Sequence, residues 1–367
     1  MTDVRLMDTP EDYEKLGINP NHVEGWEDAR RDYEGTGHWG WWYSDFLLDD
    51  GTSVVIQFFP KDPRDATYNK EKPTFQMLVT DKDGNTFKKA PNFAPETAYY
   101  GKEECDVSFD NGKNIFQGNL KDYHIVVDDN DGLGADFNLH SLSKPYRPGT
   151  AYFKFGDDFY TWLCVVPRGE VTGTLTINGK QEQIHGYGYH DHQWGGKRHF
   201  SELWNNWTWA RQSYDDYSLL IFDMVTKGEF GYQRFPIAFV EDKDGNVIFQ
   251  NKKDVDYTLV DKYKDEKSGK NYPSKQVFDF DDGEKHLHYE LDAKEVLENQ
   301  VAVTAYPKEV AQEMIAKGQN PSYTRYKGEG RMTISEEGKP NISRTNSLIF
   351  EFMYPGAVNF DEALKIK

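Results

Sequence analysis

The chain has 367 residues, with 62 acidic against 43 basic side chains and a net charge of -19 at pH 7. An anionic surface of this kind is repelled by phosphates, which argues against nucleic-acid binding and against an anionic membrane surface. Aromatic residues reach 15% while the whole hydrophobic share is only 37%, so the core is built from Phe, Tyr and Trp on broad β-surfaces rather than from helix bundles.

Met1 to about Glu34 is charged and is expected to wrap the outside. Met1-Thr-Asp-Val-Arg-Leu6 lacks a signal-type apolar core, and no apolar run is long enough to span a bilayer. Two cysteines, Cys105 and Cys164, make no disulfide scaffold and lack metal-ligand spacing. A cytoplasmic protein is the simplest expectation.

Trp41-Trp-Tyr-Ser-Asp-Phe-Leu-Leu-Asp-Asp-Gly-Thr52 reads as an aromatic strand, an Asp-Asp turn and a following apolar strand, Val54-Val-Ile56. Asp81-Lys-Asp-Gly-Asn85 is a strong hairpin signal. Phe153-Lys-Phe155, Thr161-Trp-Leu-Cys-Val-Val166 and Gly173-Thr-Leu-Thr-Ile177 continue the run of short strands.

The pattern then repeats. Trp207-Thr-Trp-Ala-Arg-Gln-Ser-Tyr-Asp-Asp-Tyr-Ser218 matches the first segment and Asp242-Lys-Asp-Gly-Asn246 the second. Gly330-Arg-Met-Thr-Ile334 is a weaker match to the third. Three matches in order predict an all-β chain of two similar antiparallel barrel or sandwich domains with few helices. The expected division is a wrapping segment 1–34, a first β-domain 35–185 and a second 186–367, meeting near Gly186. Further strands are predicted at Gln276–Phe280, His286–Glu290 and Leu348–Met353. One helix is predicted from Pro307 through Ala316, with proline in its first turn and Gly318 as its stop.

The chemistry-bearing stretch is Tyr187-Gly-Tyr-His-Asp-His-Gln-Trp-Gly195, followed by Trp204-Asn-Asn-Trp-Thr-Trp-Ala-Arg211. Strand alternation puts His190, His192 and Trp194 on one face and Asp191 and Gln193 on the other. Titratable groups among large rings suit proton transfer on an apolar substrate, because water exclusion shifts pKa values. A buried strand with histidines bonded to carbonyls is the competing account. Asp223 lies in Leu219-Leu-Ile-Phe-Asp-Met-Val225, apolar on both faces. It is either an acid held neutral, suited to protonating an alkene, or a structural carboxylate paired with Arg211 or an amide.

His190 and His192, with His286 and His288, have a spacing that could chelate zinc. They sit in different repeats, however, and no metal is expected. Trp194, Trp207 and Trp209, with Trp41, Trp42 and Tyr43, could line a pocket and steady a developing cation by about 1–2 kcal/mol each. Arg211 could neutralise an acidic ligand group.

With these residues in hand, the chain resembles the lipocalin-like carotenoid-hydratase family, which includes hydroxyneurosporene synthase, kievitone hydratase and fungal decalin-forming Diels–Alderases. Four places carry the likeness: Trp26-Glu-Asp-Ala-Arg30 with Gly40-Trp-Trp-Tyr-Ser-Asp45, Val166-Pro-Arg-Gly-Glu-Val-Thr-Gly173, Gly188-Tyr-His-Asp-His-Gln-Trp-Gly195 and Tyr326-Lys-Gly-Glu-Gly330. The resemblance implies two calycin-like barrels, an apolar pocket near their junction and no organic cofactor. It also implies roles for His192 and Trp194 and, on a following strand, for Asp223. The tyrosine that accompanies the aspartate in hydratases has no evident counterpart, since Ile221 and Phe222 stand there.

The expectation is therefore an enzyme without organic cofactor, acting on a hydrophobic unsaturated terpenoid, polyketide or phenolic by hydration, isomerisation or cyclisation. Its expected catalytic residues are His190, Asp191, His192 and Asp223. Trp194, Trp209, Trp207, Arg211, Trp41 and Tyr43 are its expected pocket. Alternatives are a pericyclase working by conformer selection and a non-catalytic carrier of apolar ligands. A carbohydrate-active protein would need paired carboxylates, which the motif lacks.

Overall fold

The computed structural model describes residues 3–31, 37–62, 70–251, 253–305, 308–357 and 360–363. It divides into two compact units, one from Val4 to His199 and one from Phe200 onward.

The first unit begins with β1 (Val4–Leu6), β2 (Trp39–Leu48), β3 (Ser53–Phe59), β4 (Thr74–Thr80) and β5 (Thr86–Lys89). It continues with β6 (Tyr99–Tyr100), β7 (Cys105–Phe109), β8 (Asn114–Gly118), β9 (Asp122–Val127) and β10 (Gly134–Ser141). It ends with β11 (Tyr152–Phe155), β12 (Asp158–Ile177) and β13 (Lys180–Gly195). The second unit holds β14 (Trp204–Ser213), β15 (Tyr217–Thr226), β16 (Arg234–Asp242), β17 (Val247–Asn251) and β18 (Asp256–Lys264). It closes with β19 (Asn271–Asp281), β20 (Lys285–Val301), β21 (Gln319–Glu336) and β22 (Ile342–Gly356).

The first sheet runs β5-β4-β3-β2-β13-β12-β10-β9-β8-β7-β6 and the second β17-β16-β15-β14-β22-β21-β20-β19-β18. Laid side by side, the orders correspond strand for strand from β5 and β17 through β8 and β18. This is the architecture of two tandem antiparallel barrels. The hairpin tips agree in their hydrogen bonds. The Asp81 amide donates to the Asn85 carbonyl at 2.9 Å and that of Asp242 to Asn246 at 3.0 Å. In both turns the first aspartate side chain accepts from the amides two and four residues on. Gly84 and Gly245 take up the left-handed backbone that each turn requires, at φ of 85° and 76°.

The division between units falls after His199, not at residue 185. The reason is β13. It pairs with β12 on one side and with β2 on the other, out to Gly195, so the histidine–tryptophan motif is an internal strand of the first sheet. The predicted strands fall within β11, β12, β19, β20 and β22. The late helix covers Lys308–Ala316 and stops at Gly318, whose φ is 73°; Pro307 lies outside the described residues.

Each unit encloses its own aromatic core. Trp42, Phe46, Phe58, Phe116, Phe137 and Trp194 belong to the first, and Tyr272, Phe278, Tyr289, Tyr326 and Phe350 to the second. The amino-terminal segment wraps only in part. β1 pairs with β11 and a capped helix follows at Pro10–Leu16. A short turn at Gly25–Asp28 then carries Asp28 into the interior, where it is fully buried.

Candidate functional site

β13 delivers its odd and even residues to opposite sides, as alternation requires. On the inner side, His192 pairs across the sheet with Trp42, stacks on its indole and lies tilted against that of Trp194. Its ring centre is 4.7 Å from that of Trp42 and 4.6 Å from that of Trp194. His190 sits two pairs along, 4.8 Å from the Phe116 ring and 4.7 Å from the Tyr123 ring.

Asp28 lies against both imidazoles. Its Oδ2 is 3.1 Å from His190 Nε2 and accepts the Tyr123 hydroxyl at 2.6 Å, while its Oδ1 is 3.4 Å from His192 Nδ1. The Trp42 indole N–H donates to the Asp28 carbonyl at 2.9 Å, which fixes the turn over the core. His190 Nδ1 faces the carbonyl of Tyr43 at 2.8 Å, so Nδ1 must carry a hydrogen. The contact between Nε2 and Oδ2 then needs a second hydrogen. The pair therefore holds one proton more than a neutral imidazole beside a free carboxylate.

The electrostatics follow from burial and from these partners. Burial pushes the Asp28 carboxyl up, but His190 and His192 outweigh it and hold it below the usual carboxylate range. Burial, and then Asp28, push the Tyr123 phenol and the Cys105 thiol well up. Asp28, Cys105 and His190 bring three ligand-type atoms within 4.8 Å of one another. The Cys105 thiol donates to the Phe116 carbonyl at 3.6 Å.

The outer side of β13 carries the other acid. Asp191 accepts from Gln193 Nε2 at 3.1 Å, from the Tyr189 hydroxyl at 2.9 Å and from the Trp162 indole at 3.2 Å. Gln193 in turn accepts from the Tyr160 hydroxyl at 2.6 Å. Trp41 and Tyr43 pair across the sheet with Gln193 and Asp191, so they share this side rather than that of Trp194. Burial is the largest influence on Asp191 and pushes it up to about 6, against the pull of Gln193, Tyr189, His190 and Trp162.

An acid whose pKa rises on folding ionises first in the unfolded chain. The resulting penalty is absent below about pH 4, grows between pH 4 and 6, and levels off near 3 kcal/mol. Asp191→Asn should therefore gain stability relative to the parent protein as pH rises from 4 to 7. Urea unfolding at both values measures the difference, and a pH-independent difference would contradict the assignment.

Asp223, Trp207, Trp209 and Arg211 belong to the second unit. Asp223 is buried and grips Arg234 with both oxygens, at 2.7 Å from Nε and 2.5 Å from Nη2. This is the structural ion pair weighed in the sequence, with Arg234 as partner in place of Arg211. Trp207 packs edge-on against Phe200 and Phe222. Trp209 is buried and Arg211 half-buried on the same strand. His286 and His288, in the second unit, both bond to Asp279 on a partly exposed face.

Three residues of the inner cluster escape sequence reasoning about chemistry: Asp28, Tyr123 and Cys105. Trp42 was grouped with its neighbours as a wall, without the histidine it stacks on. For Asp28 a signal existed, since Trp26-Glu-Asp is one of the quoted signatures; its charged surroundings disguised it as surface.

With this geometry in place, comparison with known proteins defines the class. The model of the AttH-like family matches residues 38–306. The chain belongs to the AttH-like family. Its fold is similar to that of kievitone hydratase from Nectria haematococca, with 15% identity, 92% of this chain and 94% of that chain covered and a TM-score of 0.56. A putative AttH from Nitrosomonas europaea is similar at 14% identity, 93% and 99% coverage and a TM-score of 0.57. CghA solved with Sch210972 is similar at 13% identity, 88% and 90% coverage and a TM-score of 0.57. No curated protein matches the chain in sequence.

Proposed function

We propose that the protein is an enzyme that modifies a hydrophobic, unsaturated small molecule by acid–base chemistry in its first β-unit. One observation carries this reading: a fully buried carboxylate, Asp28, faces two imidazoles, one of them packed against two indoles. Kievitone hydratase, a hydratase by name, shares the fold.

In the hydration version His192, as imidazolium, gives its proton to one alkene carbon. Trp42 and Trp194 steady the cation that forms at the other carbon. Water adds there, and its surplus proton returns to His192, so the enzyme is unchanged. Asp28 holds His192 in register and stabilises its charged form, and His190 with Tyr123 holds Asp28. This assigns the donor role to His192 rather than to Asp223, whose carboxylate is occupied by Arg234. Asp191 is a structural acid on the far side of the strand in this scheme. Isomerisation uses the same groups and ends in loss of a different proton.

The test is mass spectrometry of apolar molecules retained by the purified protein, followed by turnover assays on what is found. His192→Ala should lose about two to four orders of magnitude in rate. A pericyclase working by conformer selection would keep most of its rate in His192→Ala and lose it when Trp42 or Trp194 is cut to Ala. A carrier would turn nothing over.

A further inference from the structure

Asp28, Cys105 and His190 come from the turn ahead of β2, the first residue of β7 and the interior of β13, and no spacing rule links them. The fold brings them to one point inside the first unit, with 0%, 1% and 0% of their surfaces exposed. One ligand atom from each lies within 4.8 Å of the other two, and Asp28 Oδ2 and His190 Nε2 are 3.1 Å apart. Zinc bonds of about 2.0–2.3 Å to sulfur, nitrogen and oxygen place tetrahedral ligand atoms about 3–4 Å from one another, which is the scale of this cluster.

Two features around these atoms point the same way. His190 Nδ1 donates to the Tyr43 carbonyl at 2.8 Å, which turns Nε2 toward Asp28. Metal-bound histidines are held by their second nitrogen in this manner. Asp28 Oδ1 is buried and makes no hydrogen bond among the described residues; His192 Nδ1 lies 3.4 Å from it. A buried carboxylate oxygen in that condition is costly, and a cation beside it removes the cost. The Tyr123 hydroxyl, which donates to Asp28 Oδ2 at 2.6 Å, then serves as an outer partner that orients the carboxylate.

We propose that Asp28, Cys105 and His190 form a buried site for a divalent cation of the zinc class. Thiolate, imidazole and carboxylate together suit zinc, whereas magnesium and calcium take oxygen ligands. Binding exchanges the ion for two protons, one from the Cys105 thiol and one from between His190 Nε2 and Asp28 Oδ2. Two positive charges enter as two leave, so the core keeps its net charge. That removes the main obstacle to a divalent ion in an apolar interior. The site uses neither His-x-His pair as a chelate, since His190 acts with partners from β7 and the amino-terminal turn. It shares Asp28 and His190 with the acid–base centre but not His192, and it does not depend on that reading. The ion and the shared proton exclude each other, so the loaded cluster is a second state of the protein and no step of the reaction.

The probe is cobalt(II), which takes the tetrahedral geometry of zinc and absorbs in the near ultraviolet when a thiolate binds it. It is left to equilibrate with the folded parent protein, because the ligands are buried. The expected result is one cobalt per chain with a thiolate charge-transfer band that zinc abolishes on displacing cobalt. The chain has two cysteines, so the band has only two possible sources. Cys105→Ser should lose it and bind at least about 100-fold more weakly, since even the partners of metal ligands are worth about 10–100-fold. Cys164→Ser should keep it. His192→Ala, which the acid–base reading expects to lose turnover, should bind cobalt as the parent does, so failure here and failure of that reading are distinguishable. As a check independent of folding effects in the variants, X-ray absorption of the zinc-loaded parent should show one sulfur among lighter ligands. A parent protein without the charge-transfer band at saturating cobalt overturns the proposal. So does a band that survives Cys105→Ser, or a zinc-loaded parent with no sulfur bound to the ion.

Discussion

Asp28→Asn is expected to lower kcat/KM by about two to four orders of magnitude, the range for removing a positioned acid–base partner. The amide keeps the shape of the side chain and one acceptor oxygen, so the Tyr123 contact and the turn at Gly25–Asp28 survive. The negative charge that holds both imidazoles does not. His190 keeps its hydrogen toward the Tyr43 carbonyl and loses its anionic partner at Nε2, while His192 loses its support for the charged form. The variant should also be less stable, and in a pH-dependent way. Folding lowers the Asp28 pKa, so the carboxylate contributes stability above the unfolded value near 4, and that contribution fades as pH falls further. The stability gap between the parent protein and Asp28→Asn should therefore be widest near neutrality and narrow in acid. Turnover of the retained ligand and urea unfolding from pH 3 to 7 check both parts. Full activity in Asp28→Asn would remove the carboxylate from the mechanism.

Asp223→Ala is the change with the largest expected effect on stability, about 3–5 kcal/mol, because it leaves the mostly buried Arg234 without its counter-charge. Restoring neutrality should rescue it. The double variant Asp223→Leu, Arg234→Met should recover most of the loss, since apolar replacements of a buried pair are often neutral. Guanidinium unfolding of the parent, single and double variants measures this, with an unchanged denaturant slope as the sign that the transition itself is the same. The chemistry of the first unit should persist in the double variant. A stable but inactive Asp223→Ala would reverse the assignment and return Asp223 to the role of proton donor that its apolar strand suggested.

Period-two alternation was enough to sort His190, His192 and Trp194 from Asp191 and Gln193, because β13 is a regular internal strand across that stretch. The Asp-Gly hairpins were legible for a similar reason: an Asx-type turn followed by glycine is a local structure that needs no tertiary help. The cluster itself was not local. Asp28 meets His190 across 162 residues and Tyr123 across 95, and no spacing rule links them. Asp28 also lies in a charged segment, and burying a carboxylate there pays off only because two imidazoles and a phenol await it. The partner of Asp223 was hidden by a hairpin. Arg234 follows 11 residues later, at the start of β16, and reaches Asp223 diagonally from its position opposite Val225. The boundary at residue 199 was misjudged because the duplication locates equivalent strands, not the strand that closes each sheet.

Solvent-deuterium transfer tests the central claim most directly. The molecule retained by the purified protein is incubated in D2O with the parent protein and with His192→Ala, and carbon-bound deuterium in the product is read by mass spectrometry and NMR. Proton transfer from a buried imidazole predicts one carbon-bound deuterium per turnover with the parent protein and a loss of at least about a hundred-fold with His192→Ala. Product formed at the parent rate by His192→Ala, or product without carbon-bound deuterium, would contradict acid–base catalysis at the Asp28–His192 centre.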